Sequence, residues 1–204
     1  MATHLYGLCQ AADLRAMEFI FRKDFFPILK TETLARFTGL VTVIDDKFLG
    51  ALIDRTIVLL NDTADKDSAP RFDYIMTTLT STLIGLFGSQ TPPAEVSLAE
   101  IELWRSTLSV KALDSYAKAW DSYRPGPDSL AAELLGKTSA LYKFVRGELG
   151  VLIHWGDPEK DTTEIGTEIG KIFRAFDGPR MIDVLLEVLR GRHTFTSDPK
   201  VLLN

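Results

Sequence analysis

PRFDYIMTTLTSTLIGLF, residues 70–87, sets two local preferences against each other. Phe72, Ile75, Met76, Leu79, Leu83, Leu86 and Phe87 recur at three- and four-residue steps, the spacing of one helical face. The other face holds Thr77, Thr78, Thr80, Ser81 and Thr82, and β-branched threonines lower helix propensity. The periodicity decides for helix, because burial of a continuous apolar face outweighs a few tenths of a kilocalorie of propensity. Pro70 stands where a first helical turn tolerates proline.

The same period runs outward in both directions. Upstream, Asn61 to Ala69 is acidic, small and polar and reads as a loop. Before it, Phe48, Leu49, Leu52, Thr56, Leu59 and Leu60 mark a helix over about Asp46–Leu60, with Asp45 or Asp46 as its N-cap. The first segment, about His4–Phe37, carries Leu5, Leu8, Cys9, Ala12, Ala16, Phe19 and Ile20, and Pro27 is expected to kink or break it. Downstream, Gly88–Ser97 with Pro92 and Pro93 is a linker. A long helix over about Leu98–Tyr123 shows two apolar seams, one with Ile101, Trp104, Leu108 and Ala112, the other with Leu103, Val110, Leu113, Ala117 and Trp120. Two seams imply burial on more than one side, or an aromatic-lined groove.

The last third reads as three shorter helices. The first covers about Ser129–Leu149, with a possible break at Gly136. His154-Trp155-Gly156-Asp157-Pro158 is a turn. Asp161 or Thr162 opens the second, marked by Ile165, Ile169, Ile172, Phe173 and Phe176. The third restarts after Asp177-Gly178-Pro179, buries Met181, Val184, Leu185, Val188 and Leu189, and stops at Gly191 as C′. The expected fold is all-α, a bundle of about six to seven helices forming one domain over residues 1–192, with a loose tail over 193–204.

Composition narrows the function. The chain of 204 residues is 46% apolar, enough for a real core. A net charge of −5 argues against nucleic acid and against anionic membranes. No apolar run reaches the roughly 20 residues of a membrane span, and the N-terminus lacks a signal peptide's basic start and apolar run. Cys9 is the single cysteine, so no internal disulfide and no multi-cysteine zinc site is possible, and the default location is cytoplasmic.

Several stretches resemble the fungal phenylalanine ammonia-lyases. Leu8-Cys9-Gln10-Ala11-Ala12-Asp13-Leu14-Arg15 is similar to that family's CQAIDLR run, and Ala16-Met17-Glu18-Phe19 continues it. Pro70-Arg71-Phe72 is similar to a helix start in the family's extra C-terminal segment. Leu141 to Gly150, LYKFVRGELG, resembles the family marker LYxFVRxELG, and Ile169–Leu189 resembles its closing helices. The resemblance implies a helical scaffold: a shielding arch in the middle of the region and a long first helix that joins a tetrameric bundle. It carries no catalytic role over, because the family builds its electrophile from Ala-Ser-Gly and this chain contains no Ala-Ser-Gly. The family's tyrosines, carboxylate-binding arginine and Gln/Asn/Glu cluster lie upstream of the matched run.

Few residues remain as candidates. Trp104, Tyr116, Trp120 and Tyr123 form an aromatic stripe, which is core in most helices but could wall an apolar pocket. Arg71 and Tyr74 could supply polar contacts there. His154 beside Trp155 reads either as a turn with one packed aromatic or as a hydrogen-bond donor to a carbonyl. Asp13, Arg15 and Glu18 read as structural, with a surface pair between Arg15 and Glu18. Glu164 and Glu168 read as a solvated face. No GxSxG, P-loop, GxGxxG or HExxH occurs, and no metal site or cofactor is expected.

Two functions compete. The first is a stand-alone cofactor-free cyclase of fungal specialised metabolism. It would hold an apolar terpenoid or polyene for an intramolecular closure such as a [4+2] cycloaddition. His154, Arg71 and Tyr74 would be its polar catalysts, and Trp104, Tyr116, Trp120 and Trp155 its substrate wall. The second is a non-catalytic pseudoenzyme or interaction subunit, self-associating as a homo-oligomer or joining a full-length lyase.

Overall fold

The computed structural model describes residues 1–37, 39, 44–90, 96–156 and 164–190. These residues are all-α, with no strand among them. The eight α-helices are α1 (Ala2–Arg36), α2 (Asp46–Asp62), α3 (Ser68–Gly88), α4 (Leu98–Ser122), α5 (Leu130–Leu134), α6 (Ser139–Lys143), α7 (Ile165–Ala175) and α8 (Pro179–Arg190). Contacts divide the chain into two compact units, where the sequence reading has one domain. One unit joins residues 1–17 to 123–204, and the other is continuous over 18–122. The tail 193–204, Gly191, the Asp161 or Thr162 cap, the Pro92-Pro93 linker and Asp157-Pro158 lie outside the described residues.

The continuous unit is built from the second half of α1 with α2, α3 and α4. Asp45 caps α2, its carboxylate accepting from the Phe48 amide at 2.7 Å, and the buried set of α2 is the six residues the period names. Helix α3 buries Phe72, Ile75, Met76, Leu79, Leu83 and Phe87 against them, with Leu86 partly covered. The core is ring-rich. Phe21 stacks on Phe25 at 5.3 Å between centroids, and Phe87 meets Phe48 at 5.0 Å and Phe37 at 5.2 Å.

Pro27 does not break α1, which stays helical to Arg36. A mid-helix proline costs about 3 kcal/mol. Phe21, Phe25 and Leu29, all buried, flank it on the core face, and their combined burial exceeds that cost. The expected face of the first half is right in Leu5, Cys9 and Ala16 and differs elsewhere. Leu5, Cys9, Asp13, Ala16 and Met17 are buried, whereas Leu8 and Phe19 are exposed. In α4 one seam is core (Ile101, Trp104, Leu108, Ala112, Ser115, Ala119), but Leu103 and Val110 of the other face solvent.

In the discontinuous unit the expected helix over Ser129–Leu149 is indeed interrupted at Gly136, whose φ of +51° suits glycine. It closes in a π-helical turn, Phe144–Glu148, where the Leu149 amide reaches back five residues to the Phe144 carbonyl at 2.9 Å. Gly150, φ +58°, then turns the chain out of helix. Helix α7 buries Glu168 and Ile172 and exposes Ile165 and Phe173. Helix α8 buries Met181 and Val184 and exposes Leu185 and Leu189, so both depart from the expected faces.

Candidate functional site

Asp13 is the densest concentration of buried polar chemistry in the discontinuous unit. It is fully buried on α1, one helical turn after Cys9, and Arg146 comes to it from the π turn. Arg146 donates from Nε and Nη2 to Asp13 Oδ2 at 3.0 and 2.6 Å, and from Nη1 to the Val151 carbonyl at 3.0 Å. Asp13 Oδ1 accepts from Tyr123 Oη at 2.6 Å and from Tyr142 Oη. Tyr142 Oη also meets Ser129 Oγ at 3.1 Å, and the Arg146 guanidinium lies 5.9 Å from the Tyr6 ring.

Electrostatics follow from this burial. Burial, then the hydrogen bond to the Asp13 carboxylate, pushes the Tyr123 phenol well above its ordinary range, and the same two causes raise Tyr142. Burial raises the Cys9 thiol to about 11, against a smaller opposing pull from Arg146. The phenols are thus held as donors and the thiol as a neutral packing group. Four hydrogen bonds fill the lone-pair directions of Asp13, so it cannot serve as a base toward a ligand. The hub is structural: a buried pair whose remaining valences are satisfied.

The sequence-named candidates fall in two places. In the continuous unit, Trp104 is core, 1% exposed, with Nε1 donating to Thr33 Oγ1 at 3.0 Å. Arg71 binds its own scaffold: Nη2 donates to the Leu60 carbonyl at 2.7 Å and Nε to Thr63 Oγ1 at 3.3 Å, tying the end of α2 to the start of α3. Its guanidinium also stands 5.9 Å from the Tyr116 ring, and Tyr116 leans on Trp120 at 6.1 Å. Tyr116 and Trp120 are half-buried, and burial raises the Tyr116 phenol. Tyr74 is exposed, with Lys66 over its ring at 5.8 Å.

In the discontinuous unit, His154 and Trp155 are half-buried. The His154 backbone is held by the Gln10 side-chain amide: His154 N–H donates to Gln10 Oε1 at 3.1 Å, and Gln10 Nε2 donates to the His154 carbonyl at 2.5 Å. Tyr123, read as part of the α4 stripe, belongs instead to the Asp13 hub. Glu168, read as solvated, is 2% exposed; its Oε2 accepts from the Leu152 amide at 2.6 Å and from Lys171 Nζ at 3.0 Å. Glu18 pairs with Arg22 one turn on.

A cleft of about 330 Å³ in the continuous unit is lined by Asp45, Lys47, Phe48, Ala51, Leu86, Ser89 and Gln90. None of the aromatic candidates lines it, and its wall mixes charge with apolar surface. Among the described residues no three His, Cys, Asp or Glu side chains converge as a metal site. No helix there is long and apolar enough to cross a membrane.

No family model matches the chain. It is 31% identical over 195 residues to a phenylalanine ammonia-lyase of Rhodotorula mucilaginosa, covering 93% of this chain and 26% of that protein. It is 30% identical over 208 residues to the phenylalanine/tyrosine ammonia-lyase of Rhodotorula toruloides, covering 93% and 27%. The crystal structure of phenylalanine ammonia-lyase from Rhodosporidium toruloides superposes with a TM-score of 0.81 at 29% identity, over 92% of this chain and 29% of that one. The chain spans about a quarter of the length of the curated relatives it matches.

Proposed function

We propose that this chain, which belongs to the phenylalanine ammonia-lyase family and matches it along 93% of its length, is a non-catalytic interaction subunit that docks through α8. The observation that carries the reading is the outer stripe of that helix. Ile182, Leu185, Leu186 and Leu189 recur at i, i+3, i+4 and i+7, and all four are exposed, while Met181 and Val184 fill the inner face. A contiguous apolar stripe on solvent is a mark of protein contact. Phe173 of α7 adds a further large apolar side chain, 67% exposed. The described side chains point the same way: the Asp13 carboxylate is saturated, and Trp104 is core. The cytosol suits a lone thiol kept neutral and buried.

Light scattering of the purified chain, alone and with a fungal phenylalanine ammonia-lyase, tests this. Self-association or a stable complex is expected, lost on Leu185→Glu with Leu189→Glu. A monodisperse monomer that retains no lyase rejects the reading.

One observation favours a second reading, the cofactor-free cyclase. Arg71 places a cation beside the half-buried Tyr116 ring, which leans on Trp120, a combination that can orient an apolar polyene and polarise a carbonyl. Incubation with terpenoid or polyene precursors decides it, and a product ratio equal to that in buffer rejects it.

A further inference from the structure

Residues 150–155 are not helical, and their side chains alternate: Val151 and Ile153 are buried, and Leu152 between them is 44% exposed. That is the pattern of an extended strand. Such a segment normally satisfies its backbone on a neighbouring strand. Here side chains do most of that work. Lys171 Nζ donates to the Gly150 carbonyl at 2.9 Å, Arg146 Nη1 to the Val151 carbonyl at 3.0 Å, and the Leu152 amide donates to Glu168 Oε2 at 2.6 Å. Gln10 takes both the amide and the carbonyl of His154. The grips come from three elements: Gln10 from α1, Glu168 and Lys171 from α7, and Arg146 from the π turn.

We propose that residues 150–155 are a strap that opens and closes as one unit, with these four side chains as its clasp. A short non-helical segment outside any sheet has no ladder along which single bonds can fray in turn. Its two buried side chains leave the interior together, so the loss of one grip lowers the cost of releasing the whole segment. Arg146 binds the Val151 carbonyl with one nitrogen and Asp13 with two others, which links the closed strap to the hub. Opening bares Val151 and Ile153 and leaves Leu152 and His154 with free amides.

Residue-resolved amide exchange on the full chain tests this with Gln10→Ala and Glu168→Ala, which act at opposite ends of the strap. Each is expected to raise exchange at both Leu152 and His154 by about tenfold or more, while Ile75 and Leu79 of α3 stay unchanged as internal controls. If Glu168→Ala does not fold, Lys171→Met removes the grip on Gly150 and the ion pair to Glu168 while leaving the Glu168 bond to the Leu152 amide in place, and is read at the same two amides. Faster exchange confined to the amide each variant touched, His154 for Gln10→Ala and Leu152 for Glu168→Ala, overturns the proposal.

Discussion

Asp13→Ala tests the hub most directly. The substitution leaves the Arg146 side chain, 1% exposed, with its charge uncompensated, and stranding one partner of a buried pair costs about 3–5 kcal/mol. Tyr123 loses the acceptor of its hydroxyl, worth about 1–3 kcal/mol for a buried donor, whereas Tyr142 keeps Ser129. The two losses share one site and do not simply add, so we expect about 4–6 kcal/mol. That is a large part of the roughly 5–15 kcal/mol by which domains are stable. Urea unfolding followed by circular dichroism gives the total, and amide exchange assigns it, because two units need not unfold in one step. Asp13→Ala with Arg146→Met removes the stranded charge as well and should be less destabilised than the single variant. A single-variant loss under about 1 kcal/mol, or a double variant worse than Asp13→Ala, would refute the coupled-pair argument.

Stability should fall as pH rises from about 9 towards 11, because the Cys9 thiol is raised from 9.0 to about 11 in the folded chain and its contribution is complete only below the unfolded value. Cys9→Ala should flatten that slope in unfolding measured between pH 8 and 11, leaving a remainder from Tyr123 and Tyr142, whose shifts have the same sign. Trp104→Phe should lower stability by about 1–3 kcal/mol, since it loses both packing volume and the bond to Thr33; an unchanged melting temperature would mean that Trp104 is not core. Asp45→Ala should cost about 1 kcal/mol through loss of the α2 cap, read by thermal unfolding. Ile182→Lys should leave stability within about 0.5 kcal/mol while weakening any self-association seen by sedimentation.

What was legible in the sequence was whatever depends on period alone. The faces of α2 and α3 read correctly because each helix buries a single stripe, so spacing and burial coincide. The first half of α1 misled for a physical reason. Leu5, Cys9 and Ala16 were named correctly, but the stripe also contains a carboxylate, Asp13, which a reading weighted by hydrophobicity passes over while it adds the exposed Leu8 and Phe19. Glu168 hides in the same way, four residues before Ile172 on the buried face of α7. The available signal was an acid in register with apolar neighbours, which calls for a distant partner. Arg146, between Val145 and the Gly147 of the π turn, was that partner, but nothing local names a contact across 133 residues. The aromatic stripe of α4 divided between core, surface and hub, since Trp104, Trp120 and Tyr123 differ in what other helices bring to them.

The discontinuous unit has a consequence for synthesis. Its first segment, residues 1–17, is made before the continuous unit, and the arginine that neutralises Asp13 is made 133 residues after that acid. At about 5–20 residues per second that interval lasts roughly 7–27 s. Residues 18–122 are all synthesised within it. Until it ends, the Asp13 carboxylate lacks the cation that balances it in the folded unit. The buried acid thus ties the first segment of the unit to one that is made only after the whole continuous unit.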